Sequence, residues 1–166
     1  NIMTVALDIK NVSHNFGDFN ALDNVSLKIN SGDFTVLLGL NGAGKTTTLK
    51  MLSGVLYPTS GSASVLGHTP WERNKEFQKQ FALVMGQKNQ LWWDLPAMES
   101  FILNKEIYEV PDKQFKKTLD ELVELLDISE ILDVQVRKLS LGQRMKCELV
   151  AALLHSPKVL FLDEPT

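Results

Sequence analysis

Disulfide chemistry is closed to this chain. It holds one cysteine, Cys147, so no internal bridge can form, and such usage fits a reducing compartment. No apolar run reaches the length of a membrane span; the longest stretches are broken by glycine, proline or charge. No secretory signal pattern opens the sequence. A basic surplus is also missing, since 17 Lys and Arg stand against 20 Asp and Glu for a net charge of -3. No global field therefore argues for nucleic acid as a partner. Internal repeats and low-complexity tracts are absent. His14, His68 and His155 lack metal-ligand spacing and read as ordinary histidines, and Cys147 reads as buried packing. What is present is ordinary for a globular protein: 166 residues, 44% hydrophobic and 22% charged. That is enough for one domain, or one core with an inserted lobe. The chain begins with Asn1 and stops just after a strand pattern, so we expect it to be a segment of a longer polypeptide.

Three kinds of periodicity organise it. Leu7 and Ile9 alternate with Asp8 and Lys10, and Val25, Leu27 and Ile29 alternate with Ser26, Lys28 and Asn30, which predicts half-buried antiparallel strands. Phe34 to Leu38 and Val159 to Leu162 are continuously apolar, as strands covered on both faces would be. Further strands are expected over Ser62 to Leu66 and Gln80 to Met85. Helices are expected from Thr46 to Ser53, with Gly54 as the stop, and from Ala97 to Tyr108. Another runs from Asp112 to Leu126, where Phe115, Leu119, Leu122, Val123 and Leu126 form one stripe and Pro111 suits the start. The expected fold is α/β: a P-loop NTPase core with a mixed sheet and N-terminal antiparallel strands, comprising residues 1–88 and 138–166, with a helical lobe inserted at 89–137.

Gly39-Leu40-Asn41-Gly42-Ala43-Gly44-Lys45-Thr46 fits G-x-x-x-x-G-K-[ST] in the strand–loop–helix setting that motif requires. Its glycines let backbone amides turn towards phosphate oxygens, and the helix start adds the positive end of its dipole. Lys45 offers a cation to the β- and γ-phosphates, the Thr46 hydroxyl a ligand for Mg²⁺, and Thr47 a bond to the α-phosphate. A guanine-specifying Asn-Lys-x-Asp is absent, as is the arginine cluster of a small-molecule kinase lid. Near the other end, Val159 to Leu162 runs into Asp163-Glu164. Asp163 at the end of a parallel strand would lie beside the phosphate loop and hold Mg²⁺, and Glu164 would polarise the attacking water. Taken alone, the acidic pair reads equally as a loop cap. Leu139-Ser140-Leu141-Gly142-Gln143 opens a helix with a hydroxyl and a glycine amide. That makes an anion site, and equally describes an ordinary N-cap.

The three motifs in this order strongly resemble the nucleotide-binding subunits of ATP-binding cassette (ABC) transporters, over about Leu7 to Thr166. The resemblance implies an ATPase that drives transport through a separate integral membrane permease, with ATP and Mg²⁺ as cofactors. It also implies a head-to-tail dimer with a second nucleotide-binding subunit. Ser140, Gly142 and Gln143 would then contact, in trans, the ATP held by the partner's phosphate loop. The usual signature is LSGGQ; here Leu141 replaces its first glycine. Phe16 falls where an aromatic stacks on adenine, although a core phenylalanine is a rival reading. Gln87 falls in the Q-loop, where a glutamine ligates Mg²⁺ or the attacking water, although Gly86 departs from the commoner spacing. By resemblance, Glu164, Gln87 and Lys45 are catalytic, and Thr46, Gln87 and Asp163 ligate magnesium. The stretch GQKNQLWWDLP is similar to subunits of the ABC-2 type, mostly exporters. Adjacent Trp92 and Trp93 cannot both point inward on a regular element, so the stretch from Leu91 to Met98 is expected to dock the permease; packing between lobe and core is the rival reading. The expected location is cytoplasmic, at the inner face of the plasma membrane. In this family a D-loop and a strand bearing a γ-phosphate-sensing histidine follow the last residues seen here. Two other readings are a soluble cassette ATPase of translation or repair, and a non-catalytic nucleotide-gated module. The compact lobe argues against repair types, which insert a long coiled coil, and intact Lys45, Asp163 and Glu164 argue against the last.

Overall fold

The computed structural model describes residues 4–38, 42, 44–85 and 90–163. The chain divides into two compact units, residues 1–78 and 79–166.

The first unit is built on an antiparallel sheet in the order β2-β1-β3, with β1 at Val5–Phe16, β2 at Phe19–Asn30 and β3 at Ser60–Val65. The predicted alternation is what pairs: Leu7 faces Ile29, Ile9 faces Leu27 and Val12 faces Val25 across the hairpin, and Leu7, Ile9 and Val12 are buried. Gly17 and Asp18 join β1 to β2. Gly17 stands first with φ +58, where a two-residue hairpin loop calls for glycine. Register shifts follow Ile9 in β1, where Asn11 takes a left-handed φ of 47, and such bulges increase the twist. Helix α1, Lys45–Leu52, buries Thr48, Met51 and Leu52 and stops at Gly54 with φ 80. The short helix α2, Lys75–Gln78, anchors itself through Phe77.

One expectation fails in this unit. Residues 34–38 form no strand, and Phe34 and Leu38 are each 90% exposed. A parallel strand satisfies its backbone only through neighbours on its edges. Among the described residues β2 and β3 of this unit each pair with β1, and no strand ladder includes 34–38. The apolar character of Phe34, Val36, Leu37 and Leu38 records a need for burial that local sequence cannot meet.

The second unit pairs β4, Phe81–Met85, in parallel with β5, Val159–Asp163, in register from Phe81 opposite Val159 to Met85 opposite Asp163. Three helices accompany them: α3, Ala97–Ile107; α4, Asp112–Leu126; and α5, Leu141–Leu153. Their shared core contains Leu91, Phe101, Leu119, Ile128, Val136, Cys147, Val150 and Leu154. The α4 stripe behaves as its spacing predicts, with Phe115, Leu122, Val123 and Leu126 packed against that core while Leu125 is exposed. Lys105 near the end of α3 pairs with Asp112 at the start of α4. Strand β5 departs from expectation: Phe161 is buried, but Leu160 and Leu162 are 36% and 42% exposed. The buried residue lies between two exposed ones, so among the described residues β5 is covered on one face instead of two.

Candidate nucleotide-binding site

The described part of the phosphate loop shows why its last glycine has to be glycine. Gly44 adopts φ +92, and a Cβ there would lie 2.6 Å from the carbonyl oxygen of Ala21 and 2.8 Å from a methyl carbon of Leu22. Both reasons, left-handed backbone and close approach to β2, act together. Gly42 is also left-handed, with φ +83. From Gly44 the chain enters α1. Thr48 donates to the Gly44 carbonyl through both its amide, at 2.9 Å, and its hydroxyl, at 2.8 Å. Lys45, Thr46 and Thr47 therefore form the first turn, and no acidic side chain occupies that turn. The first turn thus sets no carboxylate of its own against the positive end of the helix, an end that favours an anion.

Phe16 lies on the same sheet, close in register to the strand against which the loop packs. Leu22, which touches the Gly44 position, pairs with His14, and the next pairs lead to Phe16 opposite Phe19 at the hairpin tip. Phe16 is 48% exposed and meets the His14 ring edge-on at 4.5 Å. It is not a core side chain, so it has an open face to offer a flat ligand.

In the second unit Ser140 caps α5. Its Oγ accepts a hydrogen bond from the Gln143 amide at 3.2 Å, and its own amide donates to Gln143 Oε1 at 2.9 Å, a complete capping box. This bond uses one of the two acceptor lone pairs of the hydroxyl. Ser140, Leu141 and Gly142 are exposed. A Cβ on Gly142 would meet nothing within 4 Å, so the described residues do not demand a glycine there, although glycine costs about 1 kcal/mol relative to alanine inside a helix. In the same unit, Asp163 closes β5 opposite Met85, at the carboxyl end of a parallel pair, where α/β folds bind ligands.

Gly39, Leu40, Asn41, Ala43, Gln87 and Glu164 lie outside the described residues. The motif residues that are described fall into two sets: Phe16, Gly42, Gly44, Lys45, Thr46 and Thr47 in the first unit, and Ser140, Gly142, Gln143 and Asp163 in the second. No group of three His, Cys, Asp or Glu side chains assembles among the described residues. The Thr46 hydroxyl and the Asp163 carboxylate, one in each unit, are hard oxygen ligands by type. They suit magnesium, which takes few protein ligands and keeps water and phosphate oxygens.

Two residues escaped the sequence reading. Glu148 on α5 is 5% exposed, and its carboxylate accepts from the amides of Gln90, at 3.0 and 3.1 Å, and Leu91, at 3.4 Å. Burial pushes its carboxyl group up, and those amide bonds hold it back. Arg144, one turn earlier, lays its guanidinium 4.8 Å from the Trp93 ring. The available signal was a lone glutamate beside the buried Cys147. Burial and the neighbouring Glu148 charge push the Cys147 thiol up to about 11, which keeps it inert.

A glycine-rich loop opening a helix on an antiparallel sheet, with a parallel strand ending in aspartate, defines a P-loop NTPase cassette. Its structural neighbours are of that class. A solved ATP-binding subunit of an ABC transporter superposes with a TM-score of 0.86 at 28% identity, covering 96% of this chain and 66% of that one. A nucleotide-free ATP-binding cassette from an ABC transporter does so with a TM-score of 0.80 at 25% identity, covering 98% and 70%. The family model described as ABC transporter matches residues 22–166, and the chain belongs to that family. Among curated relatives it is 35% identical to the ABC transporter G family member 20 of Dictyostelium discoideum, over 98% of this chain and 22% of that protein. It is 34% identical to the probable multidrug ABC transporter ATP-binding protein YbhF of Escherichia coli, over 96% and 28%. With the bacitracin transport ATP-binding protein BcrA of Bacillus licheniformis it shares 30%, over 99% and 52%. The chain thus spans about a fifth to a half of the length of these relatives. No helix among the described residues is long and apolar enough to cross a membrane.

Proposed function

We propose that this chain is the nucleotide-binding part of an ABC transporter ATPase, which hydrolyses ATP to ADP and phosphate and drives transport through a separate membrane permease. The observation that carries the reading is the start of α1. Gly44 is wedged against β2, and Lys45 and Thr46 open a helix whose first turn holds no carboxylate. In this reading Gly39, Leu40, Asn41, Gly42, Ala43 and Gly44 wrap the phosphates with backbone amides, Lys45 neutralises the β- and γ-oxygens, and Thr47 holds the α-phosphate. Phe16 stacks on adenine. Thr46, Gln87 and Asp163 would hold magnesium, which neutralises phosphate charge when bound. Glu164, with Gln87, orients and polarises the water.

A second nucleotide-binding subunit completes each site, with Ser140, Gly142 and Gln143 reaching the neighbour's γ-phosphate through hydroxyl and amide groups. The exposed and locally unneeded Gly142 supports a close approach from outside the chain. Residues 89–137 serve as the helical subdomain between core segments 1–88 and 138–166. The permease docks around Leu91 to Met98, where Trp92 and Leu95 are 58% and 38% exposed. The protein works at the cytoplasmic face of the plasma membrane.

The test is nucleotide binding and hydrolysis by the full-length protein and its Lys45→Ala variant. Losing a charge-assisted phosphate contact removes about 1.5–3 kcal/mol, so affinity for MgATP should fall about 10- to 100-fold. Absence of ATP binding by the wild type, or equal binding and turnover by Lys45→Ala, defeats the reading. For docking, Trp92→Ala should abolish stimulation by the permease while leaving ATP affinity unchanged. A parallel loss of ATP binding would return Trp92 to simple packing.

A further inference from the structure

Helix α5 grips the chain segment that leaves the β4 region. On one face, one turn apart, Arg144 and Glu148 hold Trp93 by a cation–π contact of 4.8 Å and the amides of Gln90 and Leu91 by carboxylate bonds of 3.0 to 3.4 Å. The turn just ahead of Ser140 holds the same segment through backbone bonds. The Arg137 amide donates to the Trp93 carbonyl at 3.0 Å, and the Val136 amide to the Leu95 carbonyl at 3.1 Å. Gln90 is tied back to β4 by a side-chain bond to the Leu83 carbonyl at 2.8 Å, and the Trp92 amide is tied to Ser100 Oγ at 3.1 Å. Residues on both sides of Ser140 therefore share one partner, residues 90–95.

We propose that Arg144 and Glu148 are positioning residues: they lock residues 90–93 to α5, so that this segment and the serine–glycine turn at Ser140 move as one body. Burying the Glu148 carboxylate is costly unless it is fully hydrogen-bonded, and amide donors to an ionised acceptor make a strong contact. A glutamine in its place offers one acceptor oxygen and turns an NH₂ towards an N–H, so the grip loosens without loss of volume. The proposal rests on the reading of Leu91 to Met98 as the permease surface. Force applied at the exposed Trp92 then reaches Ser140 through α5 instead of dissipating in a loop.

The experiment compares the full-length wild type with Glu148→Gln and, as a second variant that keeps bulk but loses the cation–π contact from outside the docking stretch, Arg144→Met. It reads KM and basal kcat for ATP, stimulation of turnover by the permease in vesicles, and amide exchange at Gln90 and Leu91. We expect KM and basal kcat to stay within about twofold, while stimulation falls about tenfold, the size of an ordinary coupling energy. Exchange at both amides should accelerate in Glu148→Gln. Unchanged stimulation in both variants overturns the proposal, as does loss of stimulation matched by equal loss of basal kcat, which marks a structural role. A wild type that shows no ATP turnover refutes the transporter reading instead. The exchange arm then decides alone: amides unprotected in the wild type, or equally protected in Glu148→Gln, overturn the lock.

Discussion

Replacing Ser140 with alanine removes the acceptor that caps α5 and, in the proposed dimer, the hydroxyl aimed at a neighbour's γ-phosphate. A second substitution separates the two roles. The Ser140 Oγ bond to the Gln143 amide, 3.2 Å long, is one half of a capping box, and loss of such a cap to alanine costs about 1 kcal/mol. For a chain of this size that lowers the unfolding midpoint by about 2–4 °C. Aspartate restores the acceptor, and its charge at the helix start adds about 0.3–1 kcal/mol, so Ser140→Asp should melt at or slightly above the wild-type temperature. The same carboxylate would face the incoming phosphate. Two unit charges about 4 Å apart at an effective dielectric of about 20 repel by roughly 4 kcal/mol, which amounts to about a thousandfold in rate. Thermal unfolding by circular dichroism and steady-state ATP turnover on both variants test this. The expected pattern is lower stability with lower turnover for alanine, and intact stability with abolished turnover for aspartate. Wild-type turnover by Ser140→Asp would refute the trans contact, and an unchanged midpoint in Ser140→Ala would refute the cap.

Three further outcomes follow from the geometry. Gly44→Ala should destabilise by more than about 1 kcal/mol, because it combines a left-handed φ with a Cβ 2.6 Å from the Ala21 carbonyl; a urea midpoint equal to wild type would contradict the close approach. Phe101 is 0% exposed, so Phe101→Ala should cost about 3–5 kcal/mol, read as a shifted urea midpoint with unchanged slope. His155 donates from Nε2 to the Phe81 carbonyl at 3.0 Å and stacks on Tyr108 at 4.0 Å, while its Nδ1 is buried with no hydrogen-bond partner among the described residues. Burial holds its pKa below the ordinary 6.5, so the fold prefers the neutral ring. Its contribution is fully present above that value and is lost as pH falls below it. Urea midpoints between about pH 7.5 and pH 5.5 should fall less in His155→Leu than in wild type; parallel curves would refute the assignment.

Much of the local structure was legible because it depends on near neighbours. The α4 stripe and the β1–β2 alternation follow from periods of 3.6 and 2, and both form as read. Gly54 ends α1 and Pro111 precedes α4 for reasons carried by those residues alone. At residues 34–38 near neighbours do not suffice. Continuous apolarity states that a strand should be covered, but cover comes from chain distant in sequence, and among the described residues no strand ladder includes them. Phe16 was open between core and ligand face because its spacing suits both; only its position at an exposed hairpin tip removed the core reading. Glu148 and Arg144 were invisible as a pair, since their partners at 90–93 lie far away along the chain.

By itself the sequence determined the phosphate loop, the serine–glycine turn, the acidic strand end and their order, because each is a contiguous string whose chemistry is set by spacing. That was sufficient for the class and the family. The tertiary structure alone decided that Gly44 is forced by contact with β2, that Ser140 spends its acceptor on Gln143, and that α5 holds the segment leaving the β4 region through a buried carboxylate. These are facts about which distant backbone atoms meet, and no local periodicity encodes them.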